Sequence, residues 1–366
     1  MSPIPASFRG VVLPGNKTCV LNTYDVADPG PNQVLVQVRA SSLCGSDLRA
    51  IYRPSVHKTG PEGYTGVIAG HEPCGIVVKC GSEVSTKWRI GVRVIIYHIS
   101  GCGACRSCRK GLYISCSSET RRAYGWQRDG GHGEYLVADQ QSLVALPQPL
   151  TYIDGSIVAC GFGTAYAALL RAQVSGRDSV LVVGLGPVGL GVALLAQRLG
   201  AQKVLGIDIE QDRVLFATNL GIEAMQHGED DAALVKEWLG ASGLESDGVD
   251  VAIDCSGNSA ARSTCLKAAA EWGRVGFVGE GGTVTFDVSS DVIHKNLSIF
   301  GSWVCSISQM EELVENLCAW NLHPECTVSH TFVLEEAAKA YEVFDSGKTG
   351  KCTIVYQGEQ KEYDRP

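Results

Sequence analysis

Cys102, Cys105, Cys108 and Cys116 stand in a C-x2-C-x2-C-x7-C pattern within a glycine-rich stretch. Four thiolates this close can surround one tetrahedral Zn2+ and leave it no open position, as a structural site requires. Iron–sulfur ligation is the competing reading of C-x2-C-x2-C, and the seven-residue step and the missing proline after the fourth cysteine argue against it. Arg106, Arg109 and Lys110 flank the loop and would offset its negative charge. A zinc-ribbon nucleic-acid module would need a second such cluster, and there is none.

A second pattern carries different chemistry. Gly184-Leu185-Gly186-Pro187-Val188-Gly189 satisfies G-x-G-x-x-G between an apolar run at Val180–Val183 and an apolar stretch from Val188 to Leu199. In a strand–turn–helix setting, Gly184 allows the tight turn, Gly186 lets a pyrophosphate approach the backbone, and Gly189 permits close helix-to-strand packing. Pro187 and Val188 would open the helix, and the free amides at its start, from Val188 onward, would face the phosphates. Asp208, 24 residues beyond Gly184 at the end of the next apolar run, can accept hydrogen bonds from both adenosine ribose hydroxyls. A 2'-phosphate there would meet a like charge, so NAD is expected over NADP. Arg213, five residues further, is a candidate neighbour of that ribose.

These motifs need elements to hold them. A chain of 366 residues exceeds one ordinary core, so two domains of roughly 150 to 200 residues are expected. Its first 150 residues carry short alternating segments such as Val34–Val38, Gly75–Val78 and Val92–Ile96, which predict a β-rich domain. From about Thr164 the rhythm becomes strand and helix in alternation, with strands expected at Val180–Val183, Val204–Asp208, Val249–Asp254 and Arg274–Val278. That is the pattern of a doubly wound α/β sheet. Helical pieces follow around Met310–Trp320 and Phe332–Phe344, then a strand at Cys352–Tyr356.

Composition excludes other classes. Hydrophobic residues make up 45%, charged residues 19%, and there are 43 glycines, which is a globular balance rather than a fibrous or disordered one. A net charge of -8 disfavours a polyanion, so no nucleic-acid partner is expected. The odd total of 15 cysteines cannot be fully paired and points to metal chemistry in a reducing compartment. Met1–Gly10 has no apolar signal core, so a cytoplasmic location is expected. Ser179–Gln197 is free of charge, but its glycines and Pro187 favour the strand, turn and helix over a membrane span.

A catalytic metal would need three protein ligands and an open position. Cys44 in Ser42-Leu43-Cys44-Gly45-Ser46-Asp47, His71 in Gly70-His71-Glu72 and Cys160 in Ala159-Cys160-Gly161-Phe162-Gly163-Thr164 are candidates, though spacing alone does not select them. With the four-cysteine loop and the glycine turn, these segments occur in the order seen in the zinc-dependent medium-chain alcohol dehydrogenase family, which the chain resembles over nearly its whole length. The resemblance implies a GroES-like catalytic domain from residues 1–160 and 300–366, a structural zinc lobe at 98–117, and a Rossmann coenzyme domain at 161–299. It implies two Zn2+ per chain. One is held by Cys44, His71 and Cys160 with Glu72 beside it as an outer or alternate ligand, and the other by the four-cysteine lobe. It further places Cys255, in Ile253-Asp254-Cys255-Ser256-Gly257-Asn258, near the cofactor, and Lys351 near the pyrophosphate. Members of this length are homo-oligomers, dimers or tetramers.

The chemistry implied is hydride transfer. A zinc held by two thiolates and one imidazole is formally neutral yet a Lewis acid, so an alcohol would lose its proton near neutral pH and pass hydride to NAD. The resemblance assigns Ser46 the first proton. A histidine often continues that relay, but Arg49 follows here and cannot exchange a proton at neutral pH, with His57 the remaining candidate. His98 stands where better-known members place an aromatic or apolar pocket residue, and a polar group there suits a secondary alcohol, polyol or sugar derivative. Cys44-Gly45-Ser46-Asp47 is similar to the sorbitol and threonine dehydrogenase branches, whereas Cys160 is similar to simple alcohol dehydrogenases, so a primary-alcohol substrate stays open. A catalytically silent zinc-binding member is the further alternative.

Overall fold

The computed structural model describes residues 3–54, 63–244 and 246–356; His57 lies outside them. The chain opens on a hairpin of β1 (Ser7–Gly15) and β2 (Thr18–Asp25), turned at Asn16-Lys17 with φ of 51° and 58°. Strand β3 (Gln33–Ser42) follows, then β4 (Glu72–Cys80), β5 (Arg93–Ile96), β6 (Ile99–Ser100), β7 (Arg122–Ala123), β8 (Tyr135–Asp139) and β9 (Leu143–Ala145). β3 pairs antiparallel with β4 along most of its length and with β8 over Gln33–Gln37, which buries it from Val34 through Ala40 on one face. β6 and β7 form a separate two-stranded pair beside the four-cysteine loop.

Helix α1 (Tyr152–Ile157) starts at a capping box: Thr151 Oγ1 accepts from the Asp154 amide at 3.0 Å and Asp154 Oδ2 accepts from the Thr151 amide at 2.9 Å. A π turn at Val158–Phe162 leads on into α2 (Gly163–Ala172). This run, Tyr152–Ala172, is among the described residues the one helix long and apolar enough to cross a membrane. It is 94% buried, so its apolar surface is taken up by the protein interior.

The second unit is a six-stranded parallel sheet built from β10 (Ser179–Val183), β11 (Lys203–Asp208), β12 (Glu223–Gln226), β13 (Val249–Asp254), β14 (Ala269–Phe277) and β15 (Ser298–Gly301), in the order β12-β11-β10-β13-β14-β15. Helices α3 (Pro187–Arg198), α4 (Gln211–Asn219), α5 (Asp231–Ala241) and α6 (Ser259–Ala268) connect the strands. All five residues of β10 are buried, as a central parallel strand covered on both faces demands. Leu181, Leu205, Val235, Leu239, Val249 and Val275 join one core cluster. The strand order reverses between β10 and β13, which is where such sheets open a crevice at their carboxyl ends.

After β15 come α7 (Ile307–Trp320), β16 (Val328–Phe332), α8 (Ala337–Asp345) and β17 (Lys351–Val355). β17 pairs with β3 in antiparallel register, Thr353 opposite Ser42, so the carboxyl-terminal strand completes the amino-terminal sheet. Two compact units result: residues through Gly163 together with those from Cys305 onward, and Thr164–Val304. The breaks therefore fall three to five residues beyond those expected at 160/161 and 299/300. The expected second break would cut β15, which pairs with Arg274–Phe277 and belongs to the parallel sheet. The helix expected over Phe332–Phe344 is likewise shorter, because Phe332 closes β16 and α8 begins at Ala337.

Candidate metal and coenzyme sites

In the four-cysteine loop, Sγ of Cys102 and Cys108 lie 4.0 Å apart, as do those of Cys105 and Cys116. At a Zn–S distance of about 2.3 Å the edges of a ZnS4 tetrahedron are about 3.8 Å, so the four sulfurs fit one zinc. The backbone donates into them: the amides of Cys102, Cys105 and Cys108 reach Sγ of Cys116, Cys102 and Cys105 at 3.4, 3.3 and 3.5 Å. Such amides stabilise thiolate, and Cys105 is pushed down to about 6 by the amides of Cys108 and Ser117. The loop is tied to the start of α7 by the Ile307 amide on the Gly111 carbonyl at 3.0 Å.

The second cluster is assembled from three separated segments. One ligand atom from each of Cys44, His71, Glu72 and Cys160 lies within 4.8 Å of all the others, and all four residues are buried. Cys44 ends the loop after β3, and a π turn at Leu48–Tyr52 follows it; Cys160 sits mid-way along the other π turn. Such turns often mark functional positions in helices. Glu72 opens β4 with His71 immediately before it, and Lys351 opens β17. Cys160 donates toward Cys44, which holds the Cys44 thiol well below its ordinary range and Cys160 above it. The soft donor set suits zinc.

Asp47 supplies the orientation. Its Oδ1 is 2.7 Å from His71 Nδ1 while Oδ2 accepts from the Cys44 amide at 3.1 Å. Nδ1 therefore carries the ring proton toward the carboxylate, leaving Nε2 for a metal. Trp126 Nε1 lies 3.3 Å from the same Nδ1, and the shorter, charged contact decides the tautomer. Ser46 Oγ is 3.5 Å from Nε2.

Glu72 is wholly buried, and Lys351 Nζ straddles its carboxylate at 2.7 Å from Oε1 and 2.5 Å from Oε2, with an aligned hydrogen bond to Oε1 only. Burial pushes the Glu72 carboxyl up to about 8, Lys351 pulls it down and the Cys44 sulfur adds to the rise. Contacts this short to an ammonium are those of an ion pair, so the charged form is the one built in. Lys351, expected near a pyrophosphate, is 1% exposed and pairs with Glu72 beside the metal cluster. His98 stands beside the cluster, its ring edge-on to His71 with centroids 5.3 Å apart. Its Nδ1 donates to the Ala159 carbonyl at 3.0 Å, and burial together with His71 pushes its pKa down to about 3, so the ring is neutral at physiological pH.

In the second unit the glycine turn joins β10 to α3, with Pro187 at the first helical position and Val188 after it. Gly184 has φ +96°, and a Cβ on Gly189 would lie 1.8 Å from the Gly184 carbonyl oxygen, so neither position admits a side chain. A Cβ on Gly186 would meet only the Arg213 guanidinium, at 3.6 Å, which leaves that backbone open to approach. Asp208 receives the Leu185 amide on Oδ2 at 2.6 Å and the Glu210 amide on Oδ1 at 2.9 Å, and keeps further lone pairs for ribose hydroxyls. Arg213 Nη1 lies 3.7 Å from Asp208, and its Nε is buried without a hydrogen-bond partner, a donor that an oxygen of a bound dinucleotide would satisfy. Cys255 follows β13 and packs beneath the turn, its Cβ 3.4 Å from where one on Gly189 would stand.

Asp47 and the pairing of Glu72 with Lys351 are the functional features the sequence reading missed. For Asp47 a signal existed, because an acid three residues after the start of a helical turn is placed to bond back to it. The pairing of Glu72 with Lys351 spans 279 residues and left no local trace.

The sequence pattern of the alcohol dehydrogenase GroES-like domain matches residues 30–148, and that of the zinc-binding dehydrogenases matches residues 187–319. An uncharacterized zinc-type alcohol dehydrogenase-like protein of Escherichia coli K12, YphC, is 46% identical over 352 residues, 94% of this chain and 97% of that protein. An L-threonine 3-dehydrogenase of Rhizobium rhizogenes is 29% identical over 90% of this chain and 92% of its own length. Among solved structures, the alcohol dehydrogenase TADH of Thermus sp. ATN1 superposes with a TM-score of 0.84 at 28% identity, covering 95% of this chain and 99% of that one. Two zinc-fitting clusters, a GroES-like sheet, a parallel dinucleotide-type sheet and these matches together place the chain in the zinc-type alcohol dehydrogenase family of oxidoreductases.

Proposed function

We propose that the chain is an NAD-dependent dehydrogenase with two zinc ions, acting on a secondary alcohol, polyol or sugar derivative. The observation that carries this reading is the pairing of a three-ligand cluster, Cys44, His71 and Cys160, with a neutral histidine, His98, beside it. Zinc when bound supplies Lewis acidity, and NAD supplies the hydride acceptor. Everything else falls to the chain. Asp47 holds the His71 tautomer, and Lys351 holds Glu72 so that its carboxylate is balanced by a cation and need not complete the coordination. That leaves a place for substrate oxygen. Ser46, 3.5 Å from His71 Nε2, is the residue placed to take the hydroxyl proton. His98 has its Nδ1 proton spent on Ala159, so in the neutral ring Nε2 can only accept, and the complementary group is a second substrate hydroxyl. Asp208, acidic and adjacent to the turn, favours a ribose over a 2'-phosphate, which supports NAD rather than NADP.

The test is coenzyme reduction across simple alcohols, polyols, sugars and hydroxy-amino acids with NAD and with NADP. His98→Phe should lower kcat/KM for the preferred polyhydroxy substrate about ten-fold, the loss of one neutral hydrogen bond, while leaving short primary alcohols unaffected or improved. Turnover confined to short primary alcohols, with no effect of His98→Phe on any larger substrate, would remove the polyol reading.

A further inference from the structure

His132 has no place in the chemistry above, yet it is 0% exposed and both of its ring nitrogens are engaged. Nδ1 lies 3.0 Å from Ser41 Oγ and Nε2 lies 3.0 Å from the Tyr341 hydroxyl. Because each hydroxyl can donate or accept, a neutral imidazole satisfies both with its one donor and one acceptor. Tyr341 belongs to α8, meets the imidazole edge-on with centroids 5.7 Å apart, and stacks on Tyr52 at 5.1 Å. Tyr52 in turn ends the π turn that follows Cys44. Ser41 is three residues before Cys44 on the same strand end.

The other face of the ring lies against Gly70. A Cβ there would stand 2.3 Å from Nδ1 and 2.6 to 2.7 Å from two ring carbons, and the backbone has φ +87°. Gly70 immediately precedes His71. The strip carrying His132 runs along this segment: the Gly130, Gly131 and His132 amides donate to the carbonyls of Ile68, Gly70 and Ala69 at 2.8, 2.6 and 2.9 Å. One imidazole therefore touches both segments from which the Cys44 sulfur and the His71 ring project, and neither of its nitrogens is free to bind a metal.

We propose that His132 is a positioning residue for the Cys44–His71–Cys160 centre: by bridging Ser41 to Tyr341 while filling the space over Gly70, it fixes the spacing of the thiolate and the imidazole that hold the metal. The inference rests on the reading of that cluster as a zinc site. Residues that orient metal ligands without touching the metal characteristically change metal affinity 10- to 100-fold when replaced. The four-cysteine lobe gives an internal control, because none of its contacts involves His132 and a general loosening of the fold would release both ions together.

The experiment is zinc release from the intact protein into a chromogenic chelator, well below the melting temperature, with the phases assigned using Cys44→Ser. His132→Phe keeps the ring bulk over Gly70 and removes both polar bonds; it should speed release of the Cys44-site zinc about ten-fold or more and leave the lobe zinc unchanged. Tyr341→Phe removes a single oxygen and should give a smaller acceleration of the same phase, and it carries the test if His132→Phe does not fold. Wild-type rates for both ions, or equal acceleration of both, would overturn the proposal. A wild-type protein holding only the lobe zinc would instead overturn the reading of the cluster on which it rests.

Discussion

The two cysteine clusters are built on opposite principles. In the lobe, four sulfurs come from fifteen consecutive residues and their own backbone amides hold the negative charge, with Cys102 and Cys105 partly open to solvent. In the Cys44 cluster, the donors come from segments up to 116 residues apart, all buried, and side chains hold them: Asp47 orients His71 and Lys351 pairs with Glu72. A site made from one loop is stable by local geometry and closes around its ion. A site made from several elements depends on the whole sheet, and can afford an unfilled coordination position because other residues hold its ligands in place. The difference teaches that the cluster we propose as the reactive centre is the one with the more distant support.

Replacing one charge in each cluster is the sharpest way to break that contrast. Lys351→Met would leave Glu72 buried and unpaired, at a cost of about 3–5 kcal/mol in denaturant unfolding, with Glu72→Gln added to it recovering most of the loss. Arg109→Met beside the lobe, where the side chain is exposed, should stay within about 0.5 kcal/mol. Comparable effects from the two would mean that the clusters are not supported differently. A smaller effect concerns thiol reactivity after zinc is stripped. Cys105, held down to about 6 by backbone amides, is thiolate above that pH and loses reactivity only as pH falls through it. Cys160, raised by Cys44 and by burial, stays a thiol. Iodoacetamide at pH 7 should therefore modify Cys105 about ten-fold faster than Cys160. Labelling of Cys160 first, or Cys105 reactivity that begins only above pH 8, would reverse the assignment.

The same contrast explains what could be read from residues alone. The lobe was legible from spacing, because its ligands are neighbours in the chain. So were the glycine turn and Asp208, since a strand, a turn and a helix follow directly from local pattern, and the inner strands of the parallel sheet appear as apolar runs. The Cys44 cluster was identified only by resemblance to a known family. Its support was not legible at all: His132 lies 91 residues from Ser41 and 209 from Tyr341, and Lys351 reaches Glu72 only because β17 returns to pair with β3. Strand β15 was also missed, because Ser298-Ile299-Phe300-Gly301 is short, lies at the sheet edge and alternates weakly, so only its pairing with β14 reveals it.

Two metal centres of unlike construction would each hold an ion of their own, and counting metal tests this most directly. Purified wild-type protein should hold two zinc ions per chain, and Cys44→Ser should hold one while remaining folded, since the lobe takes no ligand from that segment. One zinc in the wild type, or two retained in Cys44→Ser, would contradict it.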